Sequence, residues 1–192
     1  MSVERLFKVL SDLYPLTDDF KKILEKTVIP LSLPKNHILQ EAPKVADYVY
    51  FIDKGFAMSY SFIQGRKEVH HFWRDGQIIL LAKSFFERTP AFQYVQLMQQ
   101  SELWCITHDS VMNRLTAHEE TNIIFRIIMN QYYAVAQDRI HDLQHLNAVQ
   151  RYQKLIHAFP HIEQRVSAEY IASYLGMTPQ SLSRAKREIG RH

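Results

Sequence analysis

The sequence predicts a mixed α+β chain: short helices first, then an antiparallel β-roll, one long helix and a compact helical unit at the end. Three observations predict it. Apolar residues near the start recur every three or four positions. Between about Val28 and Thr107, short runs rich in aromatic and β-branched residues alternate with turn signals. From Glu119 the chain continues for more than thirty residues without proline or glycine, room for one extended helix.

Each element has its own reasons. "SVERLFKVL" and "TDDFKKILEK" carry the helical spacing, and Thr17 ahead of two acids reads as an N-cap. "ADYVYFID" and "FAMSYSFI" read as strands, bounded by Lys54-Gly55, Gln64-Gly65-Arg66 and Asp75-Gly76. Such close spacing of strands and turns suggests an antiparallel roll or barrel. On the long helix Tyr132, Ala136, Ile140, Leu143 and Leu146 form one stripe. The apolar residues spread wider over 123–129, which predicts two covered faces. One face would pack on the roll. The other, with Ile128, Tyr132, Val135, Ala136, Ile140, Leu143 and Leu146, is the candidate contact with a second copy. A helix folded back on its own chain is the alternative.

The end of the chain, "IASYLGMTPQSLSRAKREI", reads as two short helices. Ser167 caps the first, with Glu169 in its first turn, and Gly176 ends it. Thr178 caps the second, with Pro179 at its first position. That is a helix-turn-helix pattern. Leu182, Ala185 and Ile189 would pack on Ile171 and Leu175, with Ala172 small enough for a close crossing. At about 100° per residue the opposite face holds Gln180, Ser183, Arg184 and Arg187. Those groups suit nucleic acid: Arg is bidentate to guanine and Gln suits adenine. Gln180 and Arg184 are the candidate base contacts. Ser181 and Arg187 are assigned to phosphate, Thr178 is counted with the DNA-binding set, and Lys186, nearer the buried side, could snorkel out to the backbone.

Composition sets the outer bounds. The chain has 192 residues, 46% hydrophobic and 22% charged, as soluble globular domains do. Net charge is +3, but residues 151–192 hold seven Lys/Arg against three acids, so the excess lies at one end. Basic charge gathered there suits a polyanion partner. The single cysteine, Cys105, excludes an intrachain disulfide and Cys-based clusters. Charges at Glu4, Arg5 and Lys8 are unlike a secretory leader, and no apolar run is long enough to span a membrane. A cytoplasmic protein fits these features. The readings divide the chain into a roll with N-terminal helices (1–117), a long helix (118–148) and a helix-turn-helix unit (149–192).

The terminal stretch strongly resembles the DNA-binding motif of the Crp/Fnr transcription regulators, above all the short members common in Bacteroidetes. "YFIDKG" with Gly55 resembles their roll, and "RDGQ" with Gly76 the turn before their ligand cassette. The resemblance covers nearly the whole chain. It implies a cyclic-nucleotide-binding-like roll (a double-stranded β-helix) as sensor and a dimerisation helix. It also implies winged-helix-like domains entering successive major grooves of a near-palindromic operator on double-stranded DNA. Two departures stand out. The family often has Glu where Gln180 stands. The chain also ends soon after the recognition helix, so the wing is short, missing or outside this chain.

The same alignment speaks against a cyclic nucleotide. Aligned without gaps from Gly76, the Gly-Glu place for ribose holds Leu80-Leu81, and the Arg-Ser place for phosphate holds Ala91-Phe92. A buried phosphate needs a cationic fork or several N–H donors. Arg88, three residues earlier, is the one cation a shifted loop could bring in. The expectation is an apolar or collapsed pocket with no ligand or an unknown apolar or aromatic one, and cyclic nucleotide a distant second.

Other chemistry is sparse. His70 and His71 are adjacent in a strand and should point to opposite faces. His141 and His145 form an i, i+4 pair, but Asp142 stands where a zinc-protease motif needs Glu. They read as solvated or interface histidines, and His157 and His161 flank Pro160 as loop or helix-end residues. No nucleophile elbow, P-loop or dinucleotide fingerprint is present. No metal, cofactor or enzyme activity is expected. The alternative function is a β-roll small-molecule-binding or cupin-like protein whose terminal helices do not bind DNA.

Overall fold

A computed structural model describes residues 2–189. Arg191, counted in the basic end, lies outside the described residues. Two helices come first, α1 (Glu4–Leu13) and α2 (Asp18–Thr27). The Thr17 hydroxyl accepts from the Phe20 amide, capping α2, and donates to Glu120 Oε1 at 2.6 Å. Leu6, Leu10, Phe20 and Leu24 are buried beneath this pair.

Eight strands follow: β1 (Ile29–Leu33), β2 (Ile38–Gln40), β3 (Tyr48–Lys54), β4 (Phe56–Ile63), β5 (Arg66–Arg74), β6 (Ile78–Ile79), β7 (Tyr94–Leu97) and β8 (Ser101–Thr107). They form two antiparallel sheets, ordered β1-β8-β3-β6 and β2-β7-β4-β5. Between the sheets lie Tyr50, Ile52, Ala57, Trp73, Val95, Leu97 and Leu103. The outer faces are covered too. Val49 and Phe51 of β3 turn out to meet α1 and α2, and Phe56, Met58 and Tyr60 of β4 turn out to meet the C-terminal helices. A strand buried on both faces has no polar side to alternate with, so these strands read as continuous apolar runs. Gly55, at φ +153°, joins β3 to β4, and a Cβ there would sit 2.3 Å from Ser101 Oγ. Only glycine fits.

A short helix, α3 (Ala82–Glu87), lies between β6 and β7. After β8, α4 (His108–Ser110) passes into a π-helical turn (Val111–Leu115) and then into the long helix α5 (Glu119–His145). Ile124 and Ile128 are buried against the roll and the N-terminal helices. Tyr132 also turns inward, where its hydroxyl donates to the Ile78 carbonyl at 2.6 Å and accepts from Trp73 Nε1 at 2.8 Å. These contacts correct the sequence reading of one continuous stripe. Ile128 and Tyr132 are spent inside their own subunit. Val135, Ala136, Ile140 and Leu143 stay exposed, and Leu146 caps the helix half-buried.

Four helices follow among the described residues: α6 (Ala148–Ala158), α7 (Ile162–Arg165), α8 (Ala168–Tyr174) and α9 (Pro179–Ile189). Asn147 and Gln150 close a capping box at the start of α6. Tyr152, Leu155, Ile162, Ile171, Leu175 and Leu182 share one apolar cluster with Phe56, Met58, Val69 and Phe72 of the roll. The terminal unit is therefore docked on the sheet rather than hung from a linker. Helix α8 lies along β5, the edge strand. The Val69 amide donates to Ser173 Oγ at 2.9 Å, giving an exposed-edge donor a partner. The architecture is the α+β arrangement that the sequence predicts.

Candidate nucleic-acid interface and the neighbouring cleft

The turn between α8 and α9 is built from local signals. The Ser167 hydroxyl accepts from the Tyr170 amide at 3.4 Å. Gly176 takes φ +61°, its amide donates to Ser173 O, and the Met177 amide donates to Ala172 O at 3.0 Å. That pair of bonds is a Schellman stop. Thr178 Oγ1 accepts from the Ser181 amide at 3.1 Å and starts α9, with Pro179 at the first helical position. Leu182 and Ala185 are buried, and Ile189 packs half-buried on the same cluster.

The opposite face of α9 is open. Gln180, Ser183, Arg184 and Arg187 are all exposed. Arg184 is steadied by its neighbours: its Nη2 donates to Ser181 Oγ at 3.3 Å, and Ser181 Oγ also accepts from Thr178 Oγ1 at 3.1 Å. Lys186 departs from the sequence reading. It pairs with Glu163 of α7, whose carboxylate also accepts from the Tyr152 hydroxyl. The Lys186 hydrogen bond, then the Tyr152 one, hold that carboxyl below its ordinary range. Lys186 thus ties α9 to α7 and α6 and is not part of the open face.

Beside this unit a cleft of about 350 Å³ opens between β5, the 80–93 segment and α5. Four cassette positions line it together: Leu80, Leu81, Ala91 and Phe92. Gly76 does not. It lies in an adjacent hollow with Val9 of α1 and His71. Arg88 does not reach the cleft either: its guanidinium donates to the Ala46 carbonyl at 2.8 Å and pairs with Asp47. The one cation that a shifted loop could have supplied is engaged elsewhere.

The cleft is neither collapsed nor purely apolar. His70 and His71 both line it, against the expectation that neighbours in a strand face apart. The reason is a β-bulge: Ser59 pairs with His71 and Tyr60 with Val69, leaving His70 as the extra residue. A bulge re-aims side chains in this way. His71 packs on Trp73 with ring centroids 4.5 Å apart. Burial, then the nearby Arg139, push its pKa down to about 4, so it is neutral at pH 7. His70 is lowered by the same two causes, partly countered by Glu68, and its Nε2 lies 2.8 Å from Ser61 Oγ. Burial raises the Tyr132 hydroxyl to about 12, which keeps it a hydrogen-bond donor.

Arg139 is the residue that the sequence reading missed. Its guanidinium lies 4.2 Å over the Tyr174 ring of α8, and its Nη2 is 3.4 Å from the Val69 carbonyl of β5. The available signal was its spacing: seven residues after Tyr132, it returns to the same helix face. No cluster of three or more metal-ligating side chains occurs among the described residues. His141 and His145 lie against each other with tilted rings, 4.8 Å between centroids, on the exposed side of α5. No helix among those residues is long and apolar enough to cross a membrane.

Comparison with known proteins places the fold. No protein-family model matches the chain, and no curated protein matches it. Solved structures do. The chain is similar to FixK2 from Bradyrhizobium japonicum, at 17% identity over 85% of each chain, with a TM-score of 0.70. It is similar to CLP of Xanthomonas campestris, described as a c-di-GMP responsive global regulator. That likeness has 14% identity over 91% of this chain and 92% of the other, with a TM-score of 0.69. A Eubacterium rectale protein ascribed to the Crp/Fnr family of transcriptional regulators gives a TM-score of 0.73. Its identity is 16%, over 91% of this chain and 84% of the other. The chain has the fold of the Crp/Fnr regulators.

Proposed function

We propose that this chain is a dimeric, sequence-specific DNA-binding transcription regulator that works in the cytoplasm. The observation that carries the reading is the open face of α9. Gln180, Ser183, Arg184 and Arg187 stand exposed there with no acid among the four, on a helix whose other face is fixed in a core. The first turn is where a recognition helix meets base edges. Gln180 lies in that turn, and Arg184 is held one turn further by Ser181. Arg187 and Ser181 are the phosphate contacts in this reading. A second copy would cover the exposed Val135, Ala136, Ile140 and Leu143 of α5 and set two such helices on successive major grooves. The likeness to Crp/Fnr regulators supports both steps.

Selection of bound sequences from a random DNA library tests this directly. The expected product is a near-palindrome with half-sites about one helical turn apart. Arg184→Ala should abolish selective binding while the dimer persists in sedimentation, and affinity should fall steeply with salt. Unchanged affinity and sequence preference for the variant would overturn the assignment. The cleft, in this reading, does not take a cyclic nucleotide, because neither a ribose acceptor nor a phosphate fork stands at the cassette positions. Calorimetry with cyclic AMP and cyclic GMP should give no binding heat.

A further inference from the structure

Arg139 stands where three elements meet. It projects from α5 into the end of the cleft, covers the Tyr174 ring of α8 and makes one long hydrogen bond to β5. A guanidinium carries five N–H donors in a flat fork. One 3.4 Å bond and one ring face leave most of that fork unclaimed, and no carboxylate pairs with Arg139 among the described residues. The ionisable side chains lining the cleft are Lys83, His70, His71, Tyr132 and Arg139, with no acid among them. A second observation points the same way. Ser59 lines the cleft, is fully buried and has a hydroxyl with no partner in the protein. Buried hydroxyls are ordinarily paired.

The walls define the rest of the ligand. Trp73, Leu80, Leu81, Met129 and Val135 present flat or branched apolar surface, and Phe92 stands 71% exposed at the rim. A volume of about 350 Å³ suits a molecule of one or two rings. Such walls would leave the outer oxygens of a phosphate dianion without donors, which is costly. A carboxylate has two oxygens, matched by one guanidinium edge. We propose that the cleft binds a small monocarboxylate with a flat apolar body, its carboxylate on the Arg139 fork and its body against the Trp73–Leu80–Leu81 wall. Ser59 supplies a further hydrogen bond. An anion that draws the guanidinium into the cleft pulls it off the Tyr174 ring face and off its one long bond to the Val69 carbonyl. Occupancy of the cleft thereby loosens α8 on β5. That last consequence rests on the regulator reading; the binding itself does not.

The test is calorimetry on the full chain with benzoate, phenylacetate and indole-3-acetate, each beside its amide. At least one acid should bind with Kd at or below about 1 mM, and its amide at least about tenfold more weakly, as a charge-assisted pair requires. Arg139→Gln should erase the difference between acid and amide, and Ser59→Ala should weaken binding a few-fold (about the effect of one hydrogen bond). Should Arg139→Gln fail to fold, Leu81→Trp fills the cleft from its other wall and should abolish binding. Absence of binding by all three acids at about 10 mM, or amides binding as well as acids, overturns the proposal. The library selection separates the two readings. Acid binding without DNA binding leaves the site standing and fails the regulator reading, and DNA binding without acid binding does the reverse.

Discussion

The two halves of α5 carry the same apolar spacing and meet opposite surroundings. In the first half Ile128 is 5% exposed, under α1, α2 and the roll. In the second half Ile140 is 52% exposed. Tyr132 marks the change. Its ring packs against the roll and its hydroxyl answers three roll groups, the Trp73 indole, the Leu80 amide and the Ile78 carbonyl, and past it Ile140 and Leu143 are exposed. A helical period therefore reports that a face requires cover, without saying which surface provides it. The first half is covered by its own chain. The second half presents Tyr133, Ile140 and Leu143 exposed along one side, which a second copy of the chain would cover in the proposed dimer.

Matched truncations should separate the halves most sharply. Ile128→Ala should cost roughly 2–5 kcal/mol in urea unfolding, the usual penalty for a cavity in a packed core. That loss should not depend on protein concentration. Ile140→Ala should change the stability of the subunit by less than about 0.5 kcal/mol, as exposed positions do. It should instead weaken association, so that the concentration-dependent part of the native chain's unfolding midpoint shrinks. Equal, concentration-independent losses at both sites would erase the distinction and argue for a helix covered along its length by its own chain.

The cover over the first half should also register as pH dependence. His71 lies beneath Tyr132, with ring centroids 5.9 Å apart. Its pKa falls from an ordinary 6.5 to about 4. Above 6.5 both folded and unfolded chains leave it neutral, and it contributes nothing. Between 6.5 and about 4 the unfolded chain takes a proton that the folded chain refuses, so stability falls as pH falls. Below about 4 both forms are protonated and the loss is complete. The total is on the order of 3 kcal/mol. Urea titrations between about pH 7 and pH 4 should show this slope in the native chain and not in His71→Gln. Equal slopes in the two would place His71 in contact with solvent.

The contrast between local and distant signals explains what the sequence made legible. Ser167, Gly176 and Thr178-Pro179 stop one helix and start another within a few residues, so their roles follow from neighbours along the chain. The open face of α9 follows from the helical period in the same way. Lys186 was misread because its partner, Glu163, belongs to another helix, and no local rule couples them. His70 and His71 were assigned opposite faces because a bulge is a property of two strands, visible only when Ser59 and Tyr60 are paired with them. The contact between Ser173 and Val69 spans 104 residues, and Arg139 acts on the turn from the far side of the cleft. The cleft is built almost wholly from such distant pairings. Its four cassette positions could be aligned from the sequence, but the polar groups around them could not.

The smallest test bears on Tyr132 itself, where the two halves meet. Tyr132→Phe keeps the ring in the roll and removes only the hydroxyl. Trp73 Nε1 then loses its acceptor and the Ile78 carbonyl one of its donors, in a site walled by Leu80 and His71. Leaving a buried donor unpaired costs about 1–3 kcal/mol, and water reaching Trp73 from the cleft would bring the loss toward the lower end. The effect should therefore be smaller than that of Ile128→Ala and, like it, independent of concentration. Trp73 fluorescence should shift, because the indole exchanges a phenol for water. A variant as stable as the native chain, with unchanged emission, would mean that the first half of α5 is held by apolar contact alone. The changeover would then lie at Ile128 rather than at Tyr132.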